Sequence, residues 1–333
     1  MPTVKDVAKL AGVSVGTVSR VLSENKAVKQ PLKERVLNAV EKLGYKPNLA
    51  ARALRTNRID VIGLVVPDIT NPFFAQLAKC IETEAAKRGH SVMLANSHDD
   101  AATERKQISA LLDRSPRGMV VVAAADTAEL GYHTDVPVVS LDRRFENFPL
   151  VSTDHAHGSA LIADHLYQLG HRDIAYIAGP QNTEVGRSRK QGFISRIQDL
   201  HSENDPVTLR TYDGLFDYKS GEDIGRKVLT AWDDWRPTAI AAASDQLAIG
   251  VLRVARDLKL DIPADLSITG FDDIALASLI VPRLTTIRQP TERLAETALA
   301  YIFSEDASTT VPMKEHPLKG EIVIRGSTTA PEK

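Results

Sequence analysis

Cysteine is almost absent from this chain of 333 residues: Cys80 stands alone. One thiol excludes an internal disulfide framework and fits a reducing compartment. Cys80 falls in the apolar-periodic segment Phe74, Leu77, Ala78, Ile81, which reads as a packed thiol rather than a nucleophile. No apolar run reaches the ~20 residues that a membrane-spanning helix needs. Met1-Pro2-Thr3-Val4-Lys5-Asp6 lacks the pattern of a signal peptide, so a cytosolic protein is expected. Also missing are the phosphate-cradling patterns G-x-G-x-x-G and G-x-x-x-x-G-K-[ST] and the nucleophile elbow G-x-S-x-G. No cofactor and no enzyme chemistry are therefore expected. His155, His157, His165 and His171 follow one another without the cysteines or carboxylates that would complete a metal site, and none is expected.

What is present is a sharp division of charge. The chain has a net charge of −2, yet residues 1–60 hold twelve Lys and Arg against five Asp and Glu. A head of +7 thus precedes a remainder of −9. That asymmetry suits a protein of which only one end meets phosphate, although a solvated basic face would look the same. The length exceeds one ordinary core and implies two or three domains.

The head reads as three helices. Thr3 caps Val4–Ala11, with Asp6 in its first turn, and Val4, Val7, Ala8 and Ala11 form the apolar face. Gly12 ends that helix and Ser14 caps the next, whose inner face is Val18, Val21 and Leu22 and whose outer face is Val15, Gly16, Ser19 and Arg20. A third helix, from about Pro31 to Leu43, is expected to bury Val36, Leu37, Val40 and Leu43. Two short helices joined at a glycine turn and braced by a third form a helix-turn-helix unit, the second helix entering the DNA major groove. A generic three-helix bundle is the alternative. In the segment after Pro47, Asn48 can cap a further short helix that is too short to be stable alone. Its small and basic residues and the lone Leu54 fit a minor-groove wedge, or else a plain linker.

These segments resemble a known family. Thr3-Val-Lys-Asp-Val-Ala-Lys-Leu-Ala-Gly-Val-Ser14, Thr17-Val-Ser-Arg-Val-Leu22 and Tyr45-Lys-Pro-Asn-Leu-Ala-Ala-Arg-Ala-Leu54 are similar to the head and hinge of the LacI/GalR bacterial transcription regulators. The likeness continues through Ile62-Gly-Leu-Val-Val-Pro-Asp68, Leu169-Gly-His-Arg172, Gly270-Phe-Asp-Asp273 and Thr285-Thr-Ile-Arg-Gln-Pro290, over essentially the whole chain. The resemblance implies that positions 15, 16 and 20 read bases and that Leu54 is the hinge lever. Arg20 can fork onto guanine and Val15 can touch a thymine methyl, whereas Gly16 offers no side chain. The DNA-contacting set is expected to be Thr3, Ser14, Val15, Gly16, Thr17, Ser19 and Arg20 on the head. On the hinge it comprises Asn48, Ala51, Arg52, Leu54 and Arg55.

From residue 59 onward, apolar runs (61–66, 91–95, 118–123, 136–141, 174–178, 239–243, 267–271) alternate with helical patterns (near 73–88, 102–114, 157–169, 187–199, 218–231, 245–258, 291–303). Such alternation indicates parallel sheets covered on both faces, and its recurrence suggests two doubly wound lobes. Ligands of such sheets sit beyond the carboxyl ends of the strands. There lie Asn71, Phe73 and Phe74, then Asp142 and Arg143, then Arg187 and Arg189, Ser244 and Asp245, Asp272, and Gln289. Two rings with convergent carboxylate, guanidinium and amide groups suit a sugar. This body also resembles the ribose-type periplasmic sugar-binding proteins. By that resemblance Asn71, Phe73, Phe74, Asp142, Arg143, Arg189, Asp272 and Gln289 are the sugar contacts, and Ser244 stands where an asparagine is usual.

The expected architecture is therefore an all-α head (1–46), a hinge helix and linker (47–58) and a two-lobed, periplasmic-binding-protein-like α/β body (59–330). The resemblance sets lobe one at about 60–156 and 290–317, and lobe two at about 157–289 and 318–330. The expected function is a cytoplasmic, homodimeric transcription regulator, a repressor of a palindromic double-stranded operator, whose affinity a small ribose-like sugar controls. The C-terminal tetramerisation helix of one family member has no counterpart after Arg325-Gly326-Ser327. A purine or a protein corepressor could replace the sugar. A transport or sensory binding protein would share the body but need a signal peptide, and a sugar-processing enzyme would need an acid–base or nucleophile set.

Overall fold

Two units divide the chain, Met1–Ile59 and Asp60–Lys333. The computed structural model describes residues 2–22, 28–45, 59–126, 131, 133–231, 235–304 and 317–332. In the first unit, α1 (Val4–Ala11) starts with a reciprocal cap: Asp6 N donates to Thr3 Oγ1 while Thr3 N donates to Asp6 Oδ2 at 2.8 Å. Gly12 takes φ +61°, the left-handed conformation that closes this helix. Ser14 Oγ then accepts from Thr17 N at 3.1 Å and opens α2 (Val15–Leu22). Arg35 of α3 (Gln30–Leu43) donates to the carbonyls of Ala11 (2.6 Å) and Gly12 (3.3 Å). The third helix thereby satisfies acceptors that the end of the first leaves open. Val7, Ala8, Ala11, Val18, Val21, Val36 and Ala39 make the core. Leu37 departs from expectation at 45% exposure. The buried stripe of α3 runs through Val36 and Ala39, with Val40 and Leu43 half-buried beside it, and Leu37 falls about 100° around the helix from Val36.

The second unit holds two parallel sheets. The first, ordered β2–β1–β3–β4–β5, comprises β1 (Ile59–Val66), β2 (Ser91–Asn96), β3 (Pro116–Val121), β4 (Val138–Leu141) and β5 (Leu150–Val151). Helices α4 (Pro72–Lys87) and α5 (Ala101–Leu112) connect its first strands. The second, ordered β7–β6–β8–β9, comprises β6 (Asp173–Ala178), β7 (Thr208–Asp213), β8 (Ala239–Ala242) and β9 (Ser267–Thr269). It carries α6 (His155–Leu169), α7 (Glu184–Leu200), α8 (Tyr218–Thr230) and α9 (Asp245–Asp257). Central strands are buried along nearly their full length, as sheets covered on both faces require.

Connectivity makes a hinge between the lobes. After β10 (Thr286–Arg288) the chain returns as α10 (Thr291–Phe303), which packs on α4 and β4 of the first lobe. It then crosses back as β11 (Glu321–Val323), antiparallel to β10, and Leu318 bridges Thr153. Three short backbone segments therefore join the lobes side by side. Strand β7 was not foreseen: its residues alternate between exposed and half-buried because it is a sheet edge, so no apolar run marks it. Helices α6 and α7 pack so closely that a Cβ on Gly192 would collide with the backbone of Ala156. Backbone cannot rotate away as a side chain can. Gly192→Ala should destabilise the body by about 1–3 kcal/mol, read as a lower urea midpoint; an unchanged midpoint would show that the helices part freely.

Candidate functional site

Helix α2 exposes the face expected to meet DNA. Val15 is 40% exposed, Gly16 and Arg20 are exposed, and Ser19 is half-buried. Arg20 lies along this face, its Nε donating to the Gly16 carbonyl at 3.3 Å. Thr17 is half-buried, its hydroxyl 2.9 Å from that of Ser14, so both serve the helix start, as Thr3 does for α1. Asn48, Ala51, Arg52, Leu54 and Arg55 lie outside the described residues.

The second constellation closes the cleft between the two sheets. Asn71, the N-cap of α4, accepts from Phe73 N at 3.0 Å, and the buried rings of Phe73 and Phe74 meet at 5.4 Å and 60°. Asp142, Arg143 and Arg189 join them, and Asp272 completes the lining together with Val185 and Phe216. Asp142 and Asp272 sit at φ +62° and +119°, left-handed backbone positions at the ends of the strands they follow. The cavity among these groups is about 10 Å³, room for roughly one water. A sugar can enter only if the lobes part. A larger groove of about 1050 Å³ runs between α4 and α10, but Lys79, Glu84, Lys87, Glu292, Arg293 and Glu296 line it with mixed surface charge. Its charged groups are mostly exposed, and its most buried carboxylate, Asp273, is already paired with Arg288 and Arg325, so the cleft is the candidate site.

Charge inside the cleft is balanced internally. Arg189 donates from Nη1 to the Ala243 carbonyl (2.6 Å) and from Nε to His155 Nδ1 (3.3 Å), and its Nη2 lies 3.0 Å from Asp272 Oδ1. Its guanidinium stacks 3.8 Å over the Phe271 ring. Arg143 sits 5.2 Å over Phe74 and reaches the Ala123 carbonyl at 3.4 Å. Burial alone would raise Asp142, but His155, Arg189 and Arg143 hold it below the ordinary carboxylate range. Asp272 is pushed up to about 6 by burial, against the pull of Arg189 and Gln289.

Ser244 and Gln289 occupy other roles than the direct contacts expected of them. Ser244 Oγ accepts from Leu247 N at 3.2 Å and caps α9, and it does not line the cavity. A hydroxyl one bond from the backbone is taken up by the helix start it precedes. Gln289 stands behind the lining, donating to Asp272 Oδ1 (2.7 Å) and accepting from Thr153 Oγ1 (2.7 Å). Arg187 points outward to Asp126 at 2.5 Å. Asp245 is buried under the Asp272 turn, accepting from Ile274 N (2.8 Å) and Thr286 Oγ1 (2.5 Å). Burial and then the nearby Asp272 raise it well above a normal aspartate.

Several residues of the site escaped the strand-end rule. His155 opens a helix, Phe271 reads as the end of a strand, and Phe216 lies in a loop; none is marked by sequence position. Glu104, on α5, is fully buried, accepts from Ala124 N at 2.6 Å and has its other oxygen without a hydrogen bond. Two further histidines serve the scaffold: His165 meets Thr328, and His171 meets Thr238 and Thr329. Among the described residues no three His, Cys, Asp or Glu side chains gather as metal ligands. Nor is any described helix long and apolar enough to cross a membrane.

Residues 3–48 match the bacterial regulatory proteins of the lacI family, and residues 163–328 match the periplasmic binding protein-like domain. The whole chain is 33% identical, over 335 residues and 98% of the relative, to the ribose operon repressor of Halalkalibacterium halodurans. This chain belongs to the lacI family. A second relative in the family, the transcriptional repressor PurR of Pectobacterium carotovorum, is 32% identical over 92% of this chain and 91% of its own. Among solved lacI-family structures, the lac repressor dimer bound to operator and the anti-inducer ONPF superposes with a TM-score of 0.80 at 27% identity, covering 99% of both chains. A LacI regulator from Alkaliphilus metalliredigens complexed with D-xylulofuranose gives 0.68 at 27% identity over 81% of this chain and 99% of its own. The chain is thus a LacI-type transcriptional repressor with a DNA-binding head and a two-lobed α/β body.

Burial raises Glu104 to about 7, with Ala124 N and Arg143 pulling the other way. The folded value lies above the unfolded one, so the folded state binds the extra proton and stability falls as pH rises from about 4.5 towards 7. Glu104→Gln should therefore stabilise the fold at pH 8 by on the order of 2 kcal/mol, seen as a higher melting temperature, and make little difference at pH 4.5. Melting curves across that range check it; a constant offset would mean that Glu104 does not titrate there.

Proposed function

We propose that this repressor binds a palindromic operator as a cytoplasmic homodimer and is controlled by a pentose-sized sugar held between the lobes. One observation carries the effector reading: three aromatic rings, two carboxylates and two guanidiniums, contributed by both lobes, converge on a single buried cleft. Rings cover the C–H faces of a sugar, while carboxylate and guanidinium groups take pairs of hydroxyls. The relatives named as ribose operon repressors and the neighbour holding D-xylulofuranose support a pentose. Leu279, Val281 and Ile324 are large apolar side chains left exposed on the body, which a second copy would cover. Two α2 helices of such a dimer would read successive major grooves. The hinge, 47–58, would supply the minor-groove wedge, with Leu54 as its lever.

The relatives named PurR favour a second reading, a purine stacked on Phe73 or Phe74. Calorimetric titration of the full chain with D-ribose, other pentoses, hexoses and purine bases separates the two. Binding of a pentose supports the first reading, binding of a purine base the second, and silence across the panel rejects both. Asp272→Ala should weaken binding of the sugar at least tenfold and remove its effect on operator affinity, measured by fluorescence anisotropy; an unchanged titration would put the sugar elsewhere. Arg20→Ala should cost about 1–3 kcal/mol and relax base preference at one operator position. Equal affinity of variant and parent across a set of point-mutated operators would exclude Arg20 from readout.

A further inference from the structure

His155 is a buried imidazole that no sequence motif explains, at 6% exposure, on the first residue of α6 where the chain enters the second lobe. Its two ring nitrogens face two different groups of the effector cleft. Nδ1 lies 3.3 Å from Arg189 Nε, and a guanidinium can only donate. Nδ1 must therefore present its lone pair, and in a neutral ring the proton sits on Nε2. That nitrogen lies 3.1 Å from Asp142 Oδ1, too far off line for a formed hydrogen bond, and among the described residues neither atom has a hydrogen-bond partner.

Asp142 follows a strand of the first lobe and Arg189 lies on a helix of the second. We propose that His155, as the neutral Nε2–H tautomer, is a positioning residue of the effector site that ties Arg189 of one lobe to Asp142 of the other. The inference rests on the cleft being the effector site. Burial disfavours the charged ring more strongly than Asp142 favours it, in keeping with a neutral form. The effect on Arg189 is direct. Three of its five N–H groups are engaged by His155, Ala243 and Asp272, and Phe271 covers its face, so the guanidinium plane is fixed and two N–H groups are left for a ligand. Without the imidazole, Nε loses its acceptor and the fork can rotate. On the other side, Asp142 loses the one donor that approaches this oxygen. When the lobes close on a ligand that grips Asp142 and Arg189 together, the imidazole link re-forms and sets their separation, which is what makes binding report on lobe closure.

The test combines tautomer and coupling in the full chain. Nitrogen-15 spectra of histidine-labelled protein at pH 7 should show His155 with Nδ1 unprotonated and Nε2 protonated, and Asp142→Asn should shift that signal. Protonation at Nδ1, or on both nitrogens, would overturn the proposal. In calorimetry with D-ribose, His155→Phe, which keeps a ring of similar bulk without nitrogens, should weaken binding about tenfold. The same change in an Asp142→Asn background should add less than twofold, because the link is already broken. Full additivity in that cycle would mean that His155 merely fills space and would overturn the proposal. His155→Gln, which restores a donor and an acceptor, should recover part of the loss. Should wild-type protein bind no member of the sugar panel, the sugar reading fails, while the tautomer and its response to Asp142→Asn still decide the relay.

Discussion

Four charges withdrawn from water between two lobes govern this body. Asp142, Arg143, Arg189 and Asp272 are each more than nine-tenths buried, and isolated ions in such surroundings would cost several kcal/mol apiece. They persist because Arg189 pairs with Asp272, Arg143 reaches the Ala123 carbonyl and Asp142 lies in the field of both guanidiniums, and because Phe74 and Phe271 lie beneath them. The arrangement has a consequence for binding. Opening the lobes breaks contacts that water must replace, and closing them on a ligand restores the contacts through its hydroxyls. On the proposed function, a ligand that replaced these contacts would give the cleft two satisfied arrangements, the physical basis of a two-state switch.

The hinge converts that choice into motion. Among the described residues, those near 152–154, 286–290 and 317–323 join the sheets, and the β10–β11 pair and the Thr153–Leu318 bridge hold those segments together. Asp245 and Gln289 attach the Asp272 turn to the crossing segments, through Thr286 and Thr153. The charged centre of the site is therefore bonded directly to the segments about which the lobes turn. A ligand that shifts Asp272 acts on the hinge without a long chain of intermediates.

The order of elements could be read from the chain because apolar runs and amphipathic stretches alternate so regularly. Helices over 72–87, 218–230 and 291–303 fall within a residue or two of the patterns that foretold them. Strand β7 could not be read this way, since an edge strand with half its side chains in water lacks the apolar signature. Around the cavity, looking past strand ends found Asn71 and six of the seven other polar and aromatic side chains that line it. It misplaced Ser244, whose hydroxyl is claimed by the helix it starts, and set Gln289 one layer too far forward. It missed His155, Phe216 and Phe271, because those residues reach the cleft from a helix start, a loop and the middle of a turn. Proximity of that kind is created by the closing of two lobes, which no local pattern records. Family resemblance supplied what periodicity could not, namely that two sheets share one site.

Regulation in this account requires that the sugar prefer one lobe arrangement and the operator the other. Thermodynamic linkage then makes the effect reciprocal. The most direct measurement is the affinity of the full chain for D-ribose, by calorimetry, alone and saturated with its operator duplex. The account predicts two different affinities, in the same ratio by which saturating ribose changes operator affinity. Identical ribose affinity with and without the duplex would contradict it.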